Sequence, residues 1–181
     1  MEIYEPKEDS YFLSETIKDY LKDKLKYIKI LDMGSGSGIQ AETCRNLGFK
    51  DIISADINPD AIKLLKQMGF RSVHSNLFSK INKNKRFDLI IFNPPYLPED
   101  KYDRKKDTTG GKKGFEIILK FLKQAKSHLN KKGEILLLIS SFSSPEIIKK
   151  EALGLGYSMI QIASKKLFFE ELFVYELSLK E

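Results

Sequence analysis

The chain has 181 residues, of which 41% are hydrophobic and 31% are charged, and its formal net charge at pH 7 is +6. This length and composition exclude a disordered chain and favour one globular domain, which we expect to span residues 1–181. The positive charge is compatible with an anionic partner such as RNA, but the lysines are scattered without interleaved aromatic residues, which favours a solvated Lys/Glu surface.

The scarce residue types exclude further classes of protein. Cys44 is the only cysteine, which excludes a disulfide framework and a cysteine-based zinc site. His74 and His128 have no partners at ligand spacing, so we expect no protein-bound metal. The N-terminus lacks a signal-peptide pattern and no apolar run could span a bilayer, so we expect a soluble, cytoplasmic protein without membrane contacts.

The first half of the chain alternates between helical and strand patterns. A helix before the first strand is indicated by apolar residues at helical spacing: Leu13, Ile17, Leu21 and Leu25. Asp9 or Ser10 is expected to cap this helix. The later segments are predicted as strands at 27–33, 51–57, 71–76 and 86–93, and as helices at 39–47 and 59–68.

The second half continues this alternation and then changes. A helix is predicted over residues 115–129 and a buried strand over 134–140. Two further strands, 158–164 and 167–179, are separated only by a polar break at residues 165–166. Because that break is too short for a crossover helix, the two strands should pair antiparallel. The whole pattern predicts an α/β protein with a parallel sheet, helices on both faces and a C-terminal antiparallel hairpin.

A glycine-rich segment, ILDMGSGSG, joins the first strand to the next helix. Asp32 ends the strand, and Gly34, Gly36 and Gly38 follow it. Glycines allow a tight turn and a close approach of a ligand to the backbone. A dinucleotide-binding loop needs a small residue where this chain has Ile39, and a P-loop needs Gly-Lys-Ser/Thr, so both are excluded.

The G-x-G-x-G spacing after Asp32 resembles the first motif of class I S-adenosylmethionine-dependent methyltransferases. The resemblance implies a seven-stranded Rossmann-like fold, with the glycine loop under the methionyl part of the cofactor and S-adenosylhomocysteine as a product. It also implies that Asp56, in the sequence SADIN, accepts hydrogen bonds from the ribose hydroxyls. Asn76 and Leu77 fall where this family contacts adenine. Many relatives have Asp there, so Asn76 keeps an acceptor but loses a charge.

The predicted strand at 86–93 ends in Asn93, Pro94, Pro95 and Tyr96. The two prolines remove two backbone donors and fix two φ angles, so Asn93 and Tyr96 are held rigidly. This tetrapeptide resembles the motif of amino-methyltransferases that act on planar nitrogens. The resemblance implies that the Asn93 side-chain oxygen and the Pro94 carbonyl accept the two N–H bonds of the NH2 group while Tyr96 stacks on it. A simple proline-rich turn would account for Pro94 and Pro95 but not for their neighbours.

The opening segment YEPKEDS resembles the YxPxEDS/T signature of the short, archaeal and eukaryotic branch of HemK-type glutamine N5-methyltransferases. These enzymes modify the Gly-Gly-Gln loop of class 1 translation termination factors. The resemblance implies that Ser10 contacts S-adenosylmethionine and that Tyr4, Pro6 and Glu8 line the site. It also implies a heterodimer with a small zinc-binding activator protein, and the short third strand is a plausible sheet edge for that partner.

Other functions stay open. A DNA or RNA base amino-methyltransferase, acting on adenine N6 or guanine N2, would use the same tetrapeptide, and the basic loop at 97–114 could bind phosphates. This chain, however, has no room for a separate target-recognition region. A protein-lysine methyltransferase is less favoured, because a flexible amine gains little from a planar clamp. A catalytically silent subunit would not need Asp32, Asp56 and the Asn-Pro-Pro-Tyr motif together.

Overall fold

The computed structural model describes residues 2–96 and 114–180. The predicted loop at 97–114 lies outside the described residues except for Gly114. In the described part, the elements in chain order are α1 (Glu8–Leu21), β1 (Ile30–Met33), α2 (Ile39–Asn46), β2 (Ile52–Asp56), α3 (Pro59–Gln67), β3 (Arg71–His74), β4 (Phe87–Phe92), α4 (Glu116–Ala125), a 3₁₀ turn (Lys126–His128), β5 (Leu129–Ser140), a second 3₁₀ turn (Ser141–Ser143), α5 (Pro145–Gly154), β6 (Tyr157–Lys166) and β7 (Glu171–Leu179). None of the described helices combines the length and apolar character needed to cross a membrane.

The strands form one seven-stranded sheet in the order β3-β2-β1-β4-β5-β7-β6. Strands β1 to β5 are parallel, and β7 pairs antiparallel with both β5 and β6. The predicted fold class, including the terminal hairpin and the edge position of the third strand, is confirmed. The strand order reverses between β1 and β4, and this switch point opens a crevice at the carboxyl ends of the strands.

Helices cover both faces of the sheet. On one face α1, α2 and α3 bury Leu13, Cys44 and Leu65 against β1, β2 and β4. On the other face α4 and α5 bury Phe121 and Ile148. All four residues of β1 are buried, because a central parallel strand is covered on both sides. The central strand ends that carry the glycine and Asn-Pro-Pro-Tyr loops are therefore fixed in position.

The N-terminal predictions were wrong in their boundaries. Helix α1 begins after Lys7 and ends at Leu21, so Asp9 and Ser10 lie inside its first turn rather than at its cap. Leu25, expected on its apolar face, is 60% exposed because the chain has already turned away from the core. The first strand begins at residue 30 rather than 27, and Tyr27 is exposed.

The second half also differs in detail. Helix α4 ends at Ala125, and β5 begins at Leu129 instead of residue 134, because an irregular register against β4 lets the strand continue through Gly133. A Cβ atom at Gly133 would lie 2.7 Å from the Phe87 carbonyl oxygen, so only glycine fits there. The hairpin turn occupies residues 167–170 rather than 165–166, which belong to the edge strand β6. Helix α5, which starts at Pro145, was not predicted.

Candidate active site

A cavity of about 200 Å³ lies at the carboxyl ends of β1, β2 and β4. Its wall includes ten of the fifteen residues that the sequence placed at the site: Tyr4, Ser10, Asp32, Gly34, Gly36, Asp56, Asn93, Pro94, Pro95 and Tyr96. Gly38, Asn76 and Leu77 are not on this wall. Asn76 is exposed just after β3, and Leu77 is buried with φ +50°. Contact of these two residues with adenine stays a prediction.

Glycine is favoured at two positions of the loop for different structural reasons. Gly34 has φ +64°, and a Cβ there would lie 3.2 Å from the Phe92 ring. The left-handed backbone and the close approach to β4 therefore both favour glycine at this position. Gly38 has φ +86°, and a Cβ there would lie 2.8 Å from Leu65 Cδ2. Gly38 therefore allows α2 to start against α3, and its function is packing of the loop rather than contact with the cavity.

The carboxylate of Asp56 stands at the end of β2 and supports the glycine loop. Its Oδ2 accepts a hydrogen bond from the Gly36 backbone N–H at 2.8 Å, and its Oδ1 accepts one from the Asn58 N–H at 2.7 Å. These bonds hold the carboxylate on the cavity wall, with only 8% of the residue exposed. An acceptor-only group in this place suits a ligand with paired hydroxyls.

Three buried acceptor atoms on the cavity wall have no hydrogen-bond partner among the described residues. They are Asp32 Oδ2, Gln40 Oε1 and Asn93 Oδ1. Buried polar atoms normally have partners, so an orphaned set indicates a ligand that donates hydrogen bonds. Burial raises the pKa of Asp32 to about 7, and the Asp56 charge adds to this rise, against hydrogen bonds from Ser35 and Ala41 that lower it. A cationic ligand would stabilise the ionised Asp32.

The Asn93 side chain has a defined orientation. Its Nδ2 donates a hydrogen bond to Asp9 Oδ2 at 2.9 Å. A carboxylate can only accept, so this contact requires that the amide present its nitrogen to Asp9 and turn its oxygen away from it. Asn93 Oδ1 is buried at the carboxyl end of β4 and has no partner among the described residues. Asp9 therefore fixes the direction of the Asn93 amide.

Asp9 is the functional candidate that the sequence-based prediction missed, since it was considered only as a helix cap. It is 5% exposed, lies on the cavity wall, and also accepts hydrogen bonds from Tyr4 Oη at 3.1 Å and Ser10 Oγ at 3.3 Å. The signal was present in YEPKEDS, where an acid stands beside the expected ligand contact Ser10. Gln40 Nε2 donates to the Ser10 carbonyl at 2.9 Å and fixes this turn against α2.

The remaining residues of the opening segment divide into two groups. Tyr4 lines the cavity, as the sequence predicted, whereas Pro6 and Glu8 are not on the cavity wall. Burial raises the pKa of the Tyr4 hydroxyl, and the Asp9 charge raises it further. Burial, followed by the charges of Asp9 and Glu170, likewise raises the pKa of Tyr96. Both tyrosines are therefore neutral aromatic groups at physiological pH.

The glycine loop, the acid after β2 and the orphaned acceptors fit S-adenosylmethionine, which carries a ribose diol, an ammonium group and a sulfonium. Asp56 could accept from the diol, and Asp32 could face a cationic part of the cofactor. Asn93 could then face the group that receives the methyl. The acceptor groups on the cavity wall are thus compatible with the cofactor that the sequence motifs implied.

Comparison with known proteins agrees with this geometry. The methyltransferase small domain family matches residues 9–166. A Methanocaldococcus jannaschii protein named as a protein N5-glutamine methyltransferase is 36% identical, over 96% of this chain and 90% of its own length. A release factor glutamine methyltransferase of Koribacter versatilis is 30% identical over 74% of this chain and 54% of its own length, so this chain spans about half of that relative.

The similar solved structures include the Mtq2–Trm112 complex of E. cuniculi, which is responsible for methylation of the eRF1 translation termination factor. It matches with a TM-score of 0.82 and 25% sequence identity, over 99% of this chain and 100% of that one. The chain therefore belongs to the methyltransferase small domain family and, within it, to the S-adenosylmethionine-dependent glutamine N5-methyltransferases of the HemK type.

Proposed function

We propose that the chain methylates the side-chain amide of the glutamine in the Gly-Gly-Gln motif of a class 1 translation termination factor. The observation that carries this proposal is the Asn93 amide, which lies on the cavity wall, donates its nitrogen to Asp9 at 2.9 Å and leaves its buried oxygen without a partner among the described residues. A carboxamide substrate offers two N–H donors in one plane, and the motif offers two acceptors in a rigid segment. The M. jannaschii relative is named for glutamine N5 methylation and the E. cuniculi complex for methylation of eRF1, and together the two names support this acceptor.

An amide nitrogen is a poor nucleophile because its lone pair is delocalised into the carbonyl group. Asn93 Oδ1 accepts one N–H of the substrate amide, and the Pro94 carbonyl accepts the other. These two bonds orient the nitrogen and stabilise the positive charge that develops on it during transfer. Tyr96, neutral and fixed after the two prolines, packs on the flat amide.

Bound S-adenosylmethionine would supply the electrophilic methyl group: the N–C bond would form as the S–C bond breaks, S-adenosylhomocysteine would leave, and the methylated nitrogen would release one proton to water. Asp56 would bind the ribose, Asp32 would hold the cationic part of the cofactor, and Gly34 and Gly36 would let it approach the backbone. Ser10 closes the cavity from the side of α1. Asn76 and Leu77 contact adenine beyond the end of β3.

We further propose a small zinc-binding activator protein as a heterodimer partner. The E. cuniculi relative was solved as a complex with Trm112. Among the described strands, the four-residue β3 pairs with β2 alone, which leaves its other edge available to a partner in that part of the chain. The zinc ion belongs to the partner in this proposal, and the chain itself needs none.

The test is transfer of labelled methyl from S-adenosylmethionine to the matching termination factor, with and without the candidate activator. The control factor carries Ala in place of the Gly-Gly-Gln glutamine. We expect label on the wild-type factor alone. Label in tRNA, rRNA or DNA instead would transfer the function to base methylation, and label on lysines of either factor would identify a lysine methyltransferase.

A further inference from the structure

An aromatic patch lies at the same end of the sheet as the candidate active site, where the parallel strands have their carboxyl ends. We define the patch as Phe142, Phe168 and Phe169, which are 45%, 91% and 81% exposed. They are the exposed phenylalanines of the described part of the chain. Phe142 lies in the 3₁₀ turn after β5, and the other two form the tip of the β6–β7 hairpin.

The two residues at the hairpin tip, Phe168 and Phe169, are not of the types that tight turns favour. The Leu167 N–H donates to the Glu170 carbonyl at 2.8 Å, so Phe168 and Phe169 are the two central residues of a tight turn. Such positions normally hold Gly, Asn, Asp, Pro or Ser, and neither phenylalanine has the positive φ of the favoured type I′ turn. The two rings contact each other edge to face at 4.6 Å and bury little else. A pair of large apolar residues that serves neither turn nor core indicates a functional surface.

Two hydrogen bonds join the backbone segments that carry the patch. The Ser140 hydroxyl donates to the Glu170 carboxylate, and the Glu171 N–H donates to Ser141 Oγ at 3.1 Å. They connect the hairpin tip to the segment that carries Phe142. A partner that binds both segments therefore has less backbone entropy to remove.

The patch lies close to the Asn-Pro-Pro-Tyr loop. That loop leaves β4, which is two strand spacings, or about 10 Å, from β7 in the sheet order. Leu167 and Tyr96 pack against the same buried cluster. The Glu170 charge also raises the pKa of Tyr4 and of Tyr96, after the larger effects of burial and the Asp9 charge. With β7 two strand spacings from β4, a folded body attached to the acceptor amide would extend over the patch.

We propose that the aromatic patch is a docking surface for the protein that carries the acceptor glutamine. This inference rests on the proposed function, because a small or buried acceptor would leave the patch without a partner. The acceptor residue enters the cavity while the folded body of the termination factor packs on Phe142, Phe168 and Phe169. Aromatic residues in such a position typically provide a large share of binding energy.

The test compares Phe168→Ser/Phe169→Ser and Phe142→Ser with wild type, in the presence of the activator if activity requires it. The matched control is Tyr27→Ser, because Tyr27 is 77% exposed but precedes β1 at the opposite end of the sheet, where the parallel strands begin. We expect the double variant to raise the KM for the factor about tenfold or more. Its kcat and its Kd for S-adenosylmethionine should match those of wild type and of Tyr27→Ser.

Each other outcome has a defined meaning. An unchanged KM, or a fall in kcat alone, would overturn the docking surface while leaving the proposed function intact. A variant that no longer co-elutes with the activator in gel filtration would assign the patch to that subunit and overturn the proposal. A wild-type enzyme that transfers no methyl to the factor would refute the proposed function itself and its docking partner. A loss restricted to methylation of RNA or DNA would assign the patch to base stacking instead.

Discussion

Asp9→Asn is the substitution that most directly tests the geometry of the site. The change is nearly isosteric, so packing of the 5% exposed side chain is retained. It removes the charge behind the 2.9 Å bond to Asn93 Nδ2, and it allows residue 9 to present an NH2 group instead of an acceptor. The Asn93 amide then loses its fixed direction, and its oxygen no longer points away from residue 9 in every molecule.

The expected magnitude follows from the burial of this bond. A hydrogen bond to a charged group contributes about 1.5–3 kcal/mol, and each 1.36 kcal/mol in a barrier is about tenfold in rate. We therefore expect kcat to fall on the order of 10- to 100-fold in Asp9→Asn. Asn93→Ala should abolish turnover, and adding Asp9→Asn to it should cause little further loss, because both act through one amide.

Steady-state kinetics with the termination factor and calorimetry with S-adenosylmethionine provide the measurements. Tyr4→Phe is the matched control, because it removes the 3.1 Å bond to the other oxygen of Asp9 but leaves the bond to Asn93. We expect Tyr4→Phe to retain most of the kcat. Equal losses in Asp9→Asn and Tyr4→Phe, or a kcat that is unchanged in Asp9→Asn, would refute the positioning role.

Three further substitutions test the cofactor side of the cavity and the packing of the glycine loop. Asp56→Ala should weaken the binding of S-adenosylmethionine at least about tenfold, through lost charged hydrogen bonds, and an unchanged Kd by calorimetry would contradict that role. The pKa of Asp32 rises from 3.8 to about 7 in the fold. Ionisation of Asp32 therefore costs more free energy in the native state than in the unfolded state, and the native state loses stability as pH rises between those two values. Without cofactor, Asp32→Asn should therefore be more stable than wild type by up to about 4 kcal/mol at pH 8 but not at pH 3. A difference in urea-unfolding midpoint between variant and wild type that is the same at both pH values would refute this. Gly38→Ala should destabilise the fold more than Gly48→Ala, because both have positive φ but only the first new Cβ meets Leu65, at 2.8 Å; equal losses in urea unfolding would show that packing is unimportant there.

The sequence predicted the parts of the molecule that depend on local pattern. Strand periodicity placed β2 and β4 to within a residue or two, and the glycine spacing with Asp56 and Asn93 identified three walls of the cavity. These signals are local because a buried strand and a tight turn each restrict the residue types at adjacent positions.

Other features depend on contacts between distant segments, which a single sequence does not specify. Asp9 and Asn93 are 84 residues apart, and nothing near either residue indicates that their side chains meet. The extension of β5 depends on a register irregularity against β4, where Gly133 fits under the Phe87 carbonyl. The hairpin turn was misplaced for a related reason. Turn propensity favoured the polar lysines over Phe168 and Phe169, whereas the pairing with β7 continues through Lys166.

The charge of the cavity is opposite to that of the whole chain, and this contrast is consistent with the chemistry. The chain has a net charge of +6, yet the described wall of the cavity carries Asp9, Asp32 and Asp56 and neither Lys nor Arg. A sulfonium cofactor is positively charged, and the acceptor nitrogen gains positive charge as the methyl arrives. In the proposed reaction, carboxylates on the cavity wall would stabilise both charges without acting as bases. Asp9 would act through the Asn93 amide, which it would polarise as well as orient. The site therefore can promote attack by a weakly nucleophilic nitrogen through fixed acceptors and negative charge, with no histidine on its described wall.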